Sequence, residues 1–110
     1  MKAFSLSKEE RILHRKDFIR RLPEDRKRVF PHFLIVLKPN NLGMTRLGLT
    51  VGKDKGIAVQ RNRIKRILRE FFRRSKNRLP PSRDIIIIVL RGANSLTYHQ
   101  VAEELAPLLV

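Results

Sequence analysis

The sequence contains no cysteine and no tryptophan. That excludes a disulfide framework, a thiolate zinc site and a cysteine nucleophile. Aromatic residues make up only 6% of the chain. No apolar run approaches the roughly 18 residues needed to span a bilayer; the longest is Ile85 to Leu90. Met1 to Phe4 leads straight into Ser7-Lys8-Glu9-Glu10, leaving no room for the apolar core of a signal peptide. The expected compartment is therefore the cytoplasm. Acidic residues are also scarce, 10 against 25 Lys and Arg in 110 residues, for a net charge of +15. Hydrophobic residues reach 42%, too many for a disordered basic tail. The length suits one domain, residues 1–110, with one hydrophobic core. A folded domain this basic requires a polyanion as partner, and nucleic acid is the first candidate.

The charge is unevenly spread. Residues 1–28 carry +5, residues 29–52 carry +2, residues 53–78 carry +9 and residues 79–110 carry −1. Arg outnumbers Lys 16 to 9. Arg offers a planar fork that grips phosphate bidentately and stacks on bases.

Ser7-Lys8-Glu9-Glu10 has capping-box spacing and opens a helical stretch reaching Leu22, stopped by Pro23. Arg26 to Phe30 reads as a short edge strand, His32 to Lys38 as a strand apolar on both faces, and Arg46 to Gly52 as another. The short connection through Pro39-Asn40-Asn41-Leu42-Gly43 predicts that these last two run antiparallel as neighbours. Asp84 to Leu90 is a strand buried on both faces. Thr97-Tyr98-His99-Gln100 caps a C-terminal helix that Pro107 shortens.

The segment after Gly56 is the most informative. With Ile64 set at zero on a helical wheel, Ile64, Ile67, Leu68, Phe71 and Phe72 fall in an arc of about 140°. Arg61, Asn62, Lys65, Arg66, Arg69 and Arg73 fill the adjacent arc, from about +60° to +200°. A solvated charged face is the ordinary explanation of such a run. Here Glu70 is the helix's one acid, so pairing within the helix cannot balance the repulsion, and a binding face is favoured. Gly52-Lys53-Asp54-Lys55-Gly56 precedes it. Two glycines and two lysines beside a helix N-terminus suit phosphate, although a plain strand-to-helix turn would look the same. No P-loop is present, because no Gly-Lys-Ser/Thr follows.

The run Arg46-Leu47-Gly48-Leu49-Thr50-Val51, then Lys53, Gly56, Ala58-Val59 and Arg61-Asn62-Arg63-Ile64-Lys65-Arg66 with Arg69-Glu70, closely resembles the bacterial ribonuclease P protein component. Asp17-Phe18, Pro31-His32-Phe33 and Asp84 before the isoleucines fall in the family's order. The resemblance covers roughly residues 11–108. Asp54, Ile57, Leu22 and Val36 depart from the common pattern.

The resemblance implies an α/β (α+β) two-layer sandwich of the ribosomal-protein-S5-domain-2-like kind. It has a central, mostly antiparallel sheet of about four strands and three helices in the order αβββαβα, with a left-handed βαβ crossover. It also implies a non-catalytic protein subunit of a ribozyme endoribonuclease. A large catalytic RNA with its Mg²⁺ removes the 5′ leader of precursor tRNA, and the protein, monomeric by itself, binds both RNAs. Carried over by position, Lys53, Arg63, Lys65 and Arg73 meet the catalytic RNA. Phe18, Val36, Arg61, Asn62, Arg66 and Arg69 form the leader cleft. Phe18 fits equally a core position on its helix. Phe33 and Ile35 alternate with Leu34 and Val36, so one pair meets the helices and the other is open to floor a cleft.

The sequence has no nucleophile elbow, no HExxH and no paired carboxylates suited to two-metal hydrolysis. His14, His32 and His99 stand at no metal-ligand spacing and are read as surface or satisfied residues. Asp54 and Glu70 are read as local charge balance. Two other readings remain at this point: a small structural RNA binder of ribosomal or assembly type, and an autonomous nuclease.

Overall fold

The structure, a computed structural model, describes residues 26–109. The expected first helix, its capping box and Phe18 lie outside the described residues. Within them the order is β1 (Arg26–Val29), β2 (Phe33–Pro39), β3 (Arg46–Thr50), α1 (Ala58–Arg74), β4 (Arg83–Val89) and α2 (Tyr98–Leu105), with short 3₁₀ turns between.

The strands form one sheet in the order β1-β2-β4-β3. β1 pairs with β2 and β2 with β4, both antiparallel, whereas β3 pairs with β4 in parallel. The mostly antiparallel sheet is as expected. The expected pairing of β2 with β3 is not: β4 inserts between them. The cause lies in the composition of β4, Arg-Asp-Ile-Ile-Ile-Ile-Val. Ile85, Ile86, Ile87 and Val89 are all buried, and a strand covered on both faces is most stable with both its edges paired. A parallel pair needs a long crossover, and α1 supplies it.

One sheet face carries the main core. Phe33 and Ile35 of β2, Leu47 of β3, and Ile85, Ile87 and Val89 of β4 pack with Ile64, Leu68, Phe71 and Phe72 of α1 and Val101 and Leu105 of α2. All five α1 positions expected inward meet this core, Ile67 only partly buried. Phe71 and Phe72 meet edge to face, with ring centres 5.3 Å apart. On the other face Val36 and Ile86 form a second small cluster with Ile88 against it.

The C-terminal helix begins as its sequence predicts. The Gln100 backbone N–H donates to the Thr97 hydroxyl at 3.3 Å, and the Gln100 side chain accepts from the Thr97 N–H at 2.8 Å. It stops at Leu105 and tightens into a 3₁₀ turn around Pro107. His32 is satisfied rather than free. Glu104 accepts from its backbone N–H and contacts its Nδ1, each at 2.7 Å, tying the start of β2 to α2. The edge strand β1 carries Arg26, Lys27 and Arg28, a composition that discourages pairing with another chain. Arg28 donates to the Pro107 carbonyl at 3.1 Å and lies 5.3 Å over the Phe30 ring.

Candidate nucleic-acid interface

Between β3 and α1 the chain makes a 3₁₀ turn over Lys53–Lys55. Of its two flanking glycines only Gly56 has a positive φ, +117°; Gly52 is extended at −67°. At that φ a side chain is strained, and one at Gly56 would also displace the Gln60 and Asn94 carboxamides, so this position strongly favours glycine. Lys53 is exposed at the turn. Asp54 is exposed too, and Lys55 binds it at 2.8 Å. That hydrogen bond holds the Asp54 carboxyl below the usual carboxylate range, as expected of a local charge balance.

The start of α1 has no side-chain cap of the usual kind, since Ile57 precedes it. Gln60 folds back instead: its carbonyl oxygen accepts from the Ile57 N–H at 3.1 Å and from the Asn94 amide at 3.4 Å. Nothing in the charge pattern singled out Gln60, although a glutamine three residues into a helix is a known capping signal. Two arginines of the Arg-Asn-Arg run are held in place around it. Arg61 donates through Nε to the Gly56 carbonyl at 3.2 Å, and Arg63 donates to the Asn94 carbonyl at 3.3 Å. These bonds fix the two stems and leave other N–H groups of each fork available.

Further along, Asn62, Arg66 and Arg69 are exposed and Lys65 is partly so. Among the described residues none of these four side chains has a protein partner. Arg73 differs. Glu70 binds it through both carboxylate oxygens and also takes Arg74, at 2.7 Å. Arg73 first, then Arg74, holds the Glu70 carboxyl below its ordinary value, while Glu70 raises the Arg73 guanidinium. A carboxylate with a lowered folded-state pKa adds stability above its unfolded pKa and loses it as pH falls through the folded value. The Glu70 pair is therefore intact at neutral pH. It sets Asn62, Lys65, Arg66 and Arg69, without partners among the described residues, apart from a C-terminal turn in which Glu70 holds Arg73 and Arg74.

Glu70→Gln is accordingly expected to strengthen RNA binding at low salt by a few-fold, about one extra phosphate contact steepening the salt dependence. Titration of a single-stranded RNA at several salt concentrations checks this. A weakened complex would show that Glu70 does more than balance charge.

Val36 does not adjoin this stretch. It is buried in the small cluster on the sheet face opposite α1, so of the six residues assigned to a leader cleft, Arg61, Asn62, Arg66 and Arg69 come together on α1, Val36 lies across the sheet, and Phe18 is outside the described residues. Lys53, Arg63 and Lys65 lie on or just before α1, and Arg73 sits in its last turn.

Among the described residues no three His, Asp or Glu side chains come together as a metal site. No helix among them is long and apolar enough to cross a membrane.

The Ribonuclease P family matches residues 6–110. The ribonuclease P protein component of Syntrophus aciditrophicus is 44% identical over 109 residues, covering 99% of this chain and 92% of its own. That of Citrifermentans bemidjiense is 44% identical over 106 residues, covering 96% and 90%. Among solved structures, the Staphylococcus aureus RNase P protein superposes with a TM-score of 0.81 at 32% identity, covering 90% of this chain and 91% of that one. The Thermotoga maritima RNase P protein gives 0.81 at 32% identity, covering 91% and 94%. A mixed sheet crossed by a helix bearing an Arg-Asn-Arg run, matched over nearly its full length in sequence and in shape, places this chain in the ribonuclease P protein family.

Proposed function

We propose that this chain is the protein subunit of ribonuclease P, acting in maturation of the tRNA 5′ end as partner of the catalytic RNA. The observation that carries the reading is the α1 surface, where Asn62, Lys65, Arg66 and Arg69 stand side by side without protein partners among the described residues on a helix whose adjacent face is locked into the core. Such a surface meets a polyanion with its charges already arranged.

The finer assignment is that Arg61, Asn62, Arg66 and Arg69 hold the 5′ leader of precursor tRNA, with Lys53, Arg63 and Lys65 toward the catalytic RNA. Arg73 enters the second set only by giving up part of its pairing with Glu70. Mg²⁺ held by the RNA supplies the Lewis acidity for phosphodiester hydrolysis. This chain's residues bind, orient and neutralise. A leader that used Val36 as well as the α1 cations would have to run round the sheet edge from one face to the other. The protein by itself is proposed to be a cytoplasmic monomer.

In the presence of the catalytic RNA, precursor tRNA is expected to bind this protein's complex more tightly than mature tRNA, and omission of the protein to abolish most of that preference. Equilibrium binding of the two tRNAs tests it. Equal affinities would assign the α1 surface to structural RNA binding alone.

A further inference from the structure

Four large apolar side chains are exposed among the described residues: Val29, Leu42, Ile57 and Val59. An apolar residue exposed singly needs no explanation. Ile57 and Val59 differ, because they stand two positions apart at the head of α1, 67% and 73% exposed, where the cationic face begins. On the helical wheel that sets Ile64 at zero, Val59 falls at about 220°, beside Arg66 at about 200° and Asn62 at about 160°. Asn62 follows it by about 4.5 Å along the axis and Arg66 by about 10 Å. The face that Asn62, Arg66 and Arg69 continue therefore opens on an apolar side chain.

Neither residue is there for the helix's own sake. Ile57 occupies the N-cap with extended backbone. Ser, Thr, Asp or Asn would accept there from a first-turn N–H, and isoleucine ranks among the poorest choices. Val59 lies in the first turn, where a β-branched side chain loses rotamer freedom and alanine is the better helix former. At such exposure neither offsets this by packing into the apolar core. Positions that break a local preference with no gain to the fold are where function is to be sought. The head of the helix is also held firmly. Gln60 accepts from the Ile57 N–H and the Asn94 amide, Arg61 donates to the Gly56 carbonyl, and Arg63 to the Asn94 carbonyl. A surface fixed before contact loses little conformational entropy on binding.

The surrounding charge selects the occupant. Lys53, Asn62 and Arg66 are exposed on the same stretch of chain, and Asp54, the nearest acid in sequence, is bound by Lys55. A second copy of this chain, itself +15, would set like charge against like. An apolar protein surface would strip water from the cations without neutralising them. Single-stranded RNA meets both demands. It brings phosphates for the cations and an unpaired base whose flat face is free to lie on an apolar platform.

We infer that Val59, with Ile57 two positions before it, is an apolar step that takes the face of one unpaired nucleobase while Asn62 and Arg66 engage the flanking phosphates. The inference rests on the RNA-binding reading above and adds to it a contact that carries no charge.

The test compares the full chain with Val59→Ala and Ile57→Ser. It measures affinity for a single-stranded RNA pentamer and for an abasic strand of the same length across a salt series, together with urea unfolding. Both variants are expected to unfold at a slightly higher urea midpoint, since each installs the better helix residue. Val59→Ala is expected to bind the base-bearing strand about three- to tenfold more weakly, and Ile57→Ser to change in the same direction. The salt slope should stay the same, because no phosphate contact is lost. All three proteins are expected to bind the abasic strand equally. Unchanged affinity of Val59→Ala for the base-bearing strand overturns the inference, and so does an equal loss on the abasic strand. Self-association of the protein that Val59→Ala abolishes would overturn it too, by marking an interface between copies. In each of these cases salt-dependent RNA binding by the unaltered chain, and its loss on replacing Arg66 and Arg69, would still stand. Failure of the proposed function would remove those as well.

Discussion

Asp84→Ala is expected to destabilise the fold by about 3–5 kcal/mol, the range for stripping one partner from a buried ion pair. Asp84 is 6% exposed at the start of the central strand. Its carboxylate accepts from Arg46 Nε at 2.8 Å and from an Arg46 terminal nitrogen at 2.7 Å. It also accepts from the Asn40 amide at 2.9 Å. Asp84 stands in register with Lys38 on one neighbouring strand and Arg46 on the other, and Lys38 is itself only 6% exposed. Without the carboxylate Arg46 loses both of these hydrogen bonds and the Asn40 amide loses its own. Asp84→Asn, which keeps an acceptor but loses the charge, should fall between the two. Urea unfolding reads the difference as a lower midpoint at unchanged slope. A loss below about 0.5 kcal/mol, the size of an ordinary surface change, would mean that the cluster does not hold the three strands in register.

The second large effect is on binding. Replacing both Arg66 and Arg69 by Ala should weaken RNA binding by about 3–6 kcal/mol if each makes a charge-assisted hydrogen bond worth about 1.5–3 kcal/mol. Neither has a partner among the described residues and both are exposed, so the folded state should lose little stability. The salt dependence of binding should also flatten, by about 0.7 log units per log salt for each single-strand phosphate no longer neutralised. Fluorescence anisotropy with a labelled precursor leader across a salt series measures both quantities. Full affinity with an unchanged slope would move the interface off this part of α1.

These expectations draw on features that the sequence exposes to different degrees. α1 was legible because its apolar positions recur with helical period and its cations fill the adjacent arc; Ile64, Leu68, Phe71 and Phe72 are buried as that pattern requires. The Thr97 cap was legible because both partners are three residues apart. The strand order was not. β2 and β4 are apolar on both faces, so alternation does not say which strand lies beside which, and a short connection between β2 and β3 suggested a hairpin that β4 in fact interrupts. Contacts that join distant segments were hidden for a related reason. Glu104 meets His32 across 72 positions, and Arg63 reaches the Asn94 carbonyl across 31. Within the candidate interface the sequence placed the cations on one face but treated them as equals. The folded helix separates Arg73, held by Glu70, from Arg66 and Arg69. It also shows Arg61 and Arg63 anchored by backbone carbonyls.

The N-terminal charge now divides in part. Arg26, Lys27 and Arg28 line an edge strand, where they guard against pairing and tie β1 to the C-terminal turn. The concentrated charge of residues 53–78 is the surface we propose for RNA.

The most direct measurement is leader removal by the catalytic RNA at low Mg²⁺, followed under single-turnover conditions with and without this chain. Addition of the protein is expected to raise the rate of precursor tRNA cleavage strongly, and the Arg66→Ala, Arg69→Ala double variant to lose most of that gain while remaining folded. An identical rate with and without the protein would contradict its assignment as the ribonuclease P subunit.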